Sequence, residues 1–108
     1  MKQANVFKIP DALADKYHGC GYVFAAVTGG QITDLVYLNS VIPDLDESNR
    51  EFLIRALAVY LNPATPRRDE IELTETPAAI AIGTTINYLS SLGEVFVGMC
   101  SCWEFVEV

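Results

Sequence analysis

Basic residues are scarce: seven Lys and Arg stand against fourteen Asp and Glu in 108 residues, a formal net charge of −7. Such a chain repels phosphate backbones, which disfavours direct nucleic-acid binding. No run of about 18 apolar residues occurs, so membrane insertion has no support. Met1, Lys2, Gln3, Ala4 and Asn5 lack the apolar stretch of a signal peptide, and the expectation is a cytoplasmic protein. Cysteines number three and histidine one. An odd cysteine count permits at most one internal disulfide, and a reducing cytosol leaves thiols by default. Gly29-Gly30 precedes a β-rich run rather than a helix, and no glycine-rich loop carries a downstream Lys-Ser or Lys-Thr pair. A phosphate cradle is therefore missing.

What is present is apolar: 51 % of the residues, with 10 % aromatic. A chain of this length forms one small domain, here 1–108, that buries roughly 60–70 % of its unfolded surface. Residues 5–9 suit a short strand, and Pro10 followed by Asp11-Ala12-Leu13-Ala14-Asp15 suits one or two helical turns ending before Gly19. Residues 21–28 and 32–38 are β-rich runs around Gly29-Gly30, the pattern of a tight hairpin. Ser48 with Glu51 forms a capping-box pattern ahead of Phe52, Leu53, Ala56, Leu57, Tyr60 and Leu61, predicting a helix over about 49–61. Asn62-Pro63-Ala64-Thr65-Pro66 stops it, and 62–76 reads as a polar surface excursion with room for a strand at Ile71–Leu73. Thr76-Pro77 opens a second helix over 77–91, with Gly93 placed as its C-terminal cap and Gly83, Thr84 and Thr85 as points of bending. Val95–Met99 and Trp103–Val108 close the chain as a β-rich finish interrupted by Gly98 and by Cys100-Ser101-Cys102. These elements imply an α+β fold: a mostly antiparallel sheet packed with two main helices.

Cys20, Cys100, Cys102 and His18 are the soft or imidazole ligand candidates, but their spacing departs from that of structural zinc loops. The same cysteines offer a redox pair, but no Cys-X-X-Cys opens a helix to lower a thiol pKa, and they read more simply as small apolar packing groups. A nucleophile built from one of them with His18 lacks an orienting third group. The acidic groups Asp69, Glu70, Glu72, Glu75 and Asp44, Asp46, Glu47, Glu51 read as solvated loop charge or as contacts for a basic partner. Trp103 and Phe105 read as core. The expectation from residues alone is a binding protein, not an enzyme, with no metal, no cofactor and no small-molecule substrate.

Two blocks sharpen this. Val97-Gly98-Met99-Cys100-Ser101-Cys102-Trp103-Glu104-Phe105-Val106-Glu107-Val108 closely resembles the C-terminus of a small anti-CRISPR family of phage and prophage origin, the type II-C inhibitors that cap an HNH nuclease. Tyr17, Gly19-Cys20-Gly21, Ala25-Ala26, Val36-Tyr37-Leu38, Ile42-Pro43-Asp44 and Asp46 resemble the same family in order and spacing. Between about 47 and 93 there is no correspondence, and the chain is longer there.

The resemblance implies a non-enzymatic CRISPR-Cas inhibitor acting in the host bacterial cytoplasm by protein–protein interaction. It binds the HNH domain of a type II RNA-guided nuclease and stops DNA cleavage. An HNH site uses a His to activate water and an acidic residue to hold a divalent metal, so a small wedge bonded to both removes base and ligand together. By resemblance that wedge is Ser101 with Cys102, and a disulfide between Cys20 and Cys102 is implied by the same family pattern. An acidic inhibitor also suits an effector whose surface must hold RNA and DNA. Two departures stand out: Cys100 replaces a small apolar residue, and His18 stands where an acidic residue is expected. An alternative keeps the fold and changes the partner, with another CRISPR complex or a bacterial protein bound through the excursion at 62–76.

Overall fold

The hairpin centred on Gly29-Gly30 forms because both glycines take positive φ, 59° and 79°, which side-chain-bearing residues resist. It joins β2 (Gly21–Thr28) to β3 (Gln31–Tyr37). Around it a computed structural model, described over residues 5–14, 20–62, 76–101 and 103–108, builds a five-stranded antiparallel sheet. The remaining strands are β1 (Val6–Lys8), β4 (Glu94–Cys100) and β5 (Glu104–Glu107), in the order β1-β5-β4-β2-β3. The sheet curls until its edge strands β1 and β3 come close. The helices are α1 (Asp11–Ala14), α2 (Leu38–Val41), α3 (Glu47–Leu61) and α4 (Pro77–Ser90). This is the α+β, antiparallel architecture expected, with the short helix expected after Pro10 present as α1 and one further short helix, α2, added.

The central strand β2 is buried on both faces. Val23, Ala25 and Val27 point into the hollow of the curl with Ile9, Ile32, Leu35, Cys100 and Phe105. Phe24 and Ala26 point the other way, against Leu38, Ile54, Leu57, Ile82 and Leu89 of the helices. Two-sided burial explains why Val23–Val27 is continuously apolar instead of alternating. In β3 the register shifts so that Ala26 faces Asp34 while Val27 faces Ile32. Thr33 is the extra residue of this bulge and donates its hydroxyl to the Ala26 carbonyl (3.1 Å). The bulge lets Ile32 and Leu35, three apart, enter the same core.

Several local expectations need correction. The strand ends at Tyr37, and Leu38 starts the single turn of α2, which buries Leu38 under the helices. The cap of α3 is Asp46, whose carboxylate accepts from the Asn49 amide at 2.9 Å. Ser48 therefore lies inside the helix and the Ser48–Glu51 box is not used. Glu51 pairs instead with Arg55 one turn on. Thr76 caps α4 as expected, accepting from the Ala79 amide, and the helix runs unbroken through Gly83–Thr85. Its C-cap is Ser91 in right-handed conformation, and Gly93 is not a left-handed cap. A side chain at Gly93 would collide with Val27 and Thr28, so glycine is required there by close packing. Strand β4 likewise runs through Gly98 without interruption.

Asp15, Tyr17, His18, Gly19, the strand expected at Ile71–Leu73 and the carboxylates Asp69, Glu70, Glu72 and Glu75 lie outside the described residues.

Candidate functional site

Strands β4 and β5 pair with Gly98 opposite Glu107, Met99 opposite Val106 and Cys100 opposite Phe105. The next rung closes the turn: the Ser101 amide donates to the Glu104 carbonyl at 2.8 Å. Ser101 is exposed on this turn. Its hydroxyl makes only a long 3.4 Å contact to the same carbonyl, weak enough to be exchanged for a better acceptor on a partner. The Trp103 carbonyl accepts from the Ile9 amide at 2.9 Å, tying the turn to the chain leaving β1.

On the other side, Gly21 of β2 faces Cys100 of β4. The Gly-Cys-Gly block and the terminal block, about eighty residues apart in sequence, thereby meet at one end of the sheet. Cys20 sits beside the turn, exposed and with a free thiol. Cys102 lies outside the described residues, and with it the implied wedge partner and the Cys20–Cys102 pairing.

Cys100 is buried beneath the turn and donates its thiol to the Tyr37 hydroxyl at 3.6 Å. Burial pushes its pKa up, opposed in part by the Tyr37 bond, so at neutral pH it is a packing group and not a nucleophile. Phe105 fills the hollow core as expected. Trp103 does not: it is 68 % exposed, because it lies in the turn before β5 begins its inward–outward alternation. An aromatic standing in solvent beside Ser101 belongs to the surface.

The acidic group at 44–51 separates into roles. Asp46 is used as a cap and Glu51 pairs with Arg55, while Asp44 and Glu47 are exposed. Among the described residues, no group of three His, Cys, Asp or Glu is placed to hold a metal ion. No helix among them is long and apolar enough to cross a membrane. A cleft of about 610 Å³ opens near the start of β4, lined by Phe7, Val59, Asn62, Glu94, Phe96 and Glu107 among others. Among the described residues its lining includes the carboxylates Glu94 and Glu107 and no Cys, His or Ser.

No family model matches the chain, and no curated protein matches it.

Proposed function

We propose that the chain is a non-enzymatic inhibitor that docks the β4–β5 turn into the HNH active site of a type II CRISPR nuclease and blocks cleavage. The observation that supports this reading is the meeting of the two family-like blocks at one exposed turn, where Gly21, next to Cys20, faces Cys100 and Ser101 and Trp103 stand exposed. The Ser101 hydroxyl both donates and accepts, so one small neutral group engages a catalytic imidazole and a metal-binding carboxylate without any change of charge. The acid–base chemistry belongs to the nuclease; the inhibitor supplies bulk and hydrogen bonds that exclude water and metal. The net charge of −7 speeds encounter with a basic nucleic-acid-gripping surface, an effect weakened by salt.

The test is calorimetric titration of the whole protein into an isolated HNH domain at low and high salt. Submicromolar binding that Ser101→Arg weakens at least about tenfold is the expected result, a shift of about 1.4 kcal/mol. Full affinity in a folded Ser101→Arg protein refutes the wedge. Absence of binding to HNH domains of several type II-C effectors refutes the reading and directs attention to a different partner for the 62–76 region.

A further inference from the structure

Strand registers place four side chains from four strands in one row on one face of the sheet. Val6 of β1 faces Val106 of β5, Val106 faces Met99 of β4, and Met99 faces Tyr22 of β2. Directly opposed residues share a face, and at ~4.8 Å per strand the row is ~14 Å long. At one end it runs into the helix-covered core, where Tyr22 packs half-buried. Toward the other it is open: Met99 is 41 %, Val106 37 % and Val6 53 % exposed, with Val108 exposed as well. The helices lie against β2, β3 and β4 and leave the outward side of β5 and β1 uncovered among the described residues. Apolar surface of a few hundred Å² in one contiguous patch is what functional surfaces of small domains present.

What covers this row follows from charge and from position. A second copy would bring another −7 against the first; beside the row Glu104 stands opposite Lys8, so these two charges offset each other. A basic partner gains where a like copy loses. The Met99–Val106 rung lies two rungs from the Ser101–Glu104 closure, ~7 Å along the strands. A domain that receives Ser101 in a cleft extends over that distance on any standard interface of ~800 Å² per partner.

We propose that the Val6–Val106–Met99–Tyr22 row is the apolar centre of the interface with the same basic nuclease domain, with the Ser101 turn as its polar tip. This rests on the reading of function above and adds where the binding energy resides. Interfaces draw most of their affinity from a few central, well-packed groups while surrounding contacts exclude water. Ser101 then directs the contact and the row holds it.

The experiment compares four proteins for HNH-domain affinity by calorimetry, each checked by circular dichroism and thermal unfolding: wild type, Ser101→Arg, Met99→Lys, and Phe52→Lys as a control on the outward face of α3. Val106→Thr, which keeps the β-branched shape, accompanies them as a milder probe of the same row. The row is supported by a loss of about tenfold or more in Met99→Lys and a several-fold loss in Val106→Thr, with Phe52→Lys unchanged. Loss in Ser101→Arg with Met99→Lys within twofold of wild type overturns the row and leaves the capping function standing. Loss in Met99→Lys with Ser101→Arg unaffected supports the row and overturns the wedge. No binding by wild type overturns both. A wild-type dimer in sedimentation that Met99→Lys dissociates overturns the proposal in favour of a second copy.

Discussion

Gly98→Ala should be among the most damaging small substitutions on the sheet. Gly98 faces the hollow core two rungs from the Cys100–Phe105 pair, and a methyl there would lie 2.7 Å from Cζ and 2.9 Å from Cε2 of Phe105 and against the Val106 carbonyl oxygen. To restore ordinary contact the ring must retreat about 0.7 Å, in a core where Phe105 is fully buried and nothing flexible can give way. The Val106 carbonyl must move as well, which displaces β5, whose end is held by the Val108 amide on the Val97 carbonyl at 3.1 Å. Overpacking of this kind costs about 2–3 kcal/mol. The lower entropy of the unfolded alanine chain returns less than about 1 kcal/mol, because the position is not one of positive φ. The net expectation is a loss of about 2 kcal/mol, which lowers Tm by roughly 8–16 °C. Urea unfolding measures it as a shift in midpoint at constant slope. The matched control is Gly21→Ala, where the methyl would meet only the Tyr37 ring, at 3.6 Å, and stability should hold within about 0.5 kcal/mol. A Gly98→Ala protein as stable as wild type, or a Gly21→Ala protein equally destabilised, refutes the packing argument.

Three further outcomes are expected. Asp46→Ala should cost about 1 kcal/mol by removing the α3 cap while Ser48→Ala stays within about 0.5 kcal/mol, measured by chemical denaturation; the reverse order would restore the Ser48 capping box. For the cysteines, maleimide labelling of reduced native protein followed by peptide mass mapping should modify Cys20 at once and Cys100 only on unfolding. Because burial raises the Cys100 pKa above its ordinary 9.0, the unfolded chain releases that proton first as pH climbs. Stability is thus retained below about pH 9 and falls above it, and this part of the slope should vanish in Cys100→Ala.

The sheet was legible where local chemistry leaves little choice. Paired glycines demanded the β2–β3 turn, and Thr76-Pro77 marked the start of α4 because hydroxyl cap and proline both suit a first turn. The misreadings occurred where tertiary contacts decide. Ser48 and Asp46 are both competent caps, and it is Asp46 that stands in the extended conformation with its carboxylate on the Asn49 amide. Gly93 carries the composition of a cap, yet its reason lies in Thr28 and Val27, more than sixty residues earlier. The one-turn α2 is too short to have a period, so its first residue, Leu38, reads as the end of a strand. The sequence of Trp103-Glu104-Phe105-Val106 alternates like a strand and so suggested that Trp103 shares the burial of Phe105; the turn ends one residue later than that reading requires.

The candidate site was legible only through its two family-like blocks, since a serine between two cysteines carries no chemical signature of its own. Position in the fold supplies what identity cannot. The turn is fixed on three sides: Ser101 to Glu104 across the closure, Trp103 to Ile9 on the β1 side, and Cys100 to Tyr37 below. A contact presented from such a frame loses little conformational entropy on binding, so its contribution to affinity is not spent on ordering the turn. The same rigidity separates two kinds of substitution. Changes beneath the turn, at Gly98 or Phe105, act through the core and should lower stability and affinity together. Changes on its outer surface, at Ser101, Met99 or Val106, meet solvent and should move affinity with little change in Tm. Affinity plotted against Tm across these variants therefore distinguishes a scaffold that happens to expose a turn from a surface that uses it: one line through every variant argues for the first, and departure of the surface variants from that line argues for the second.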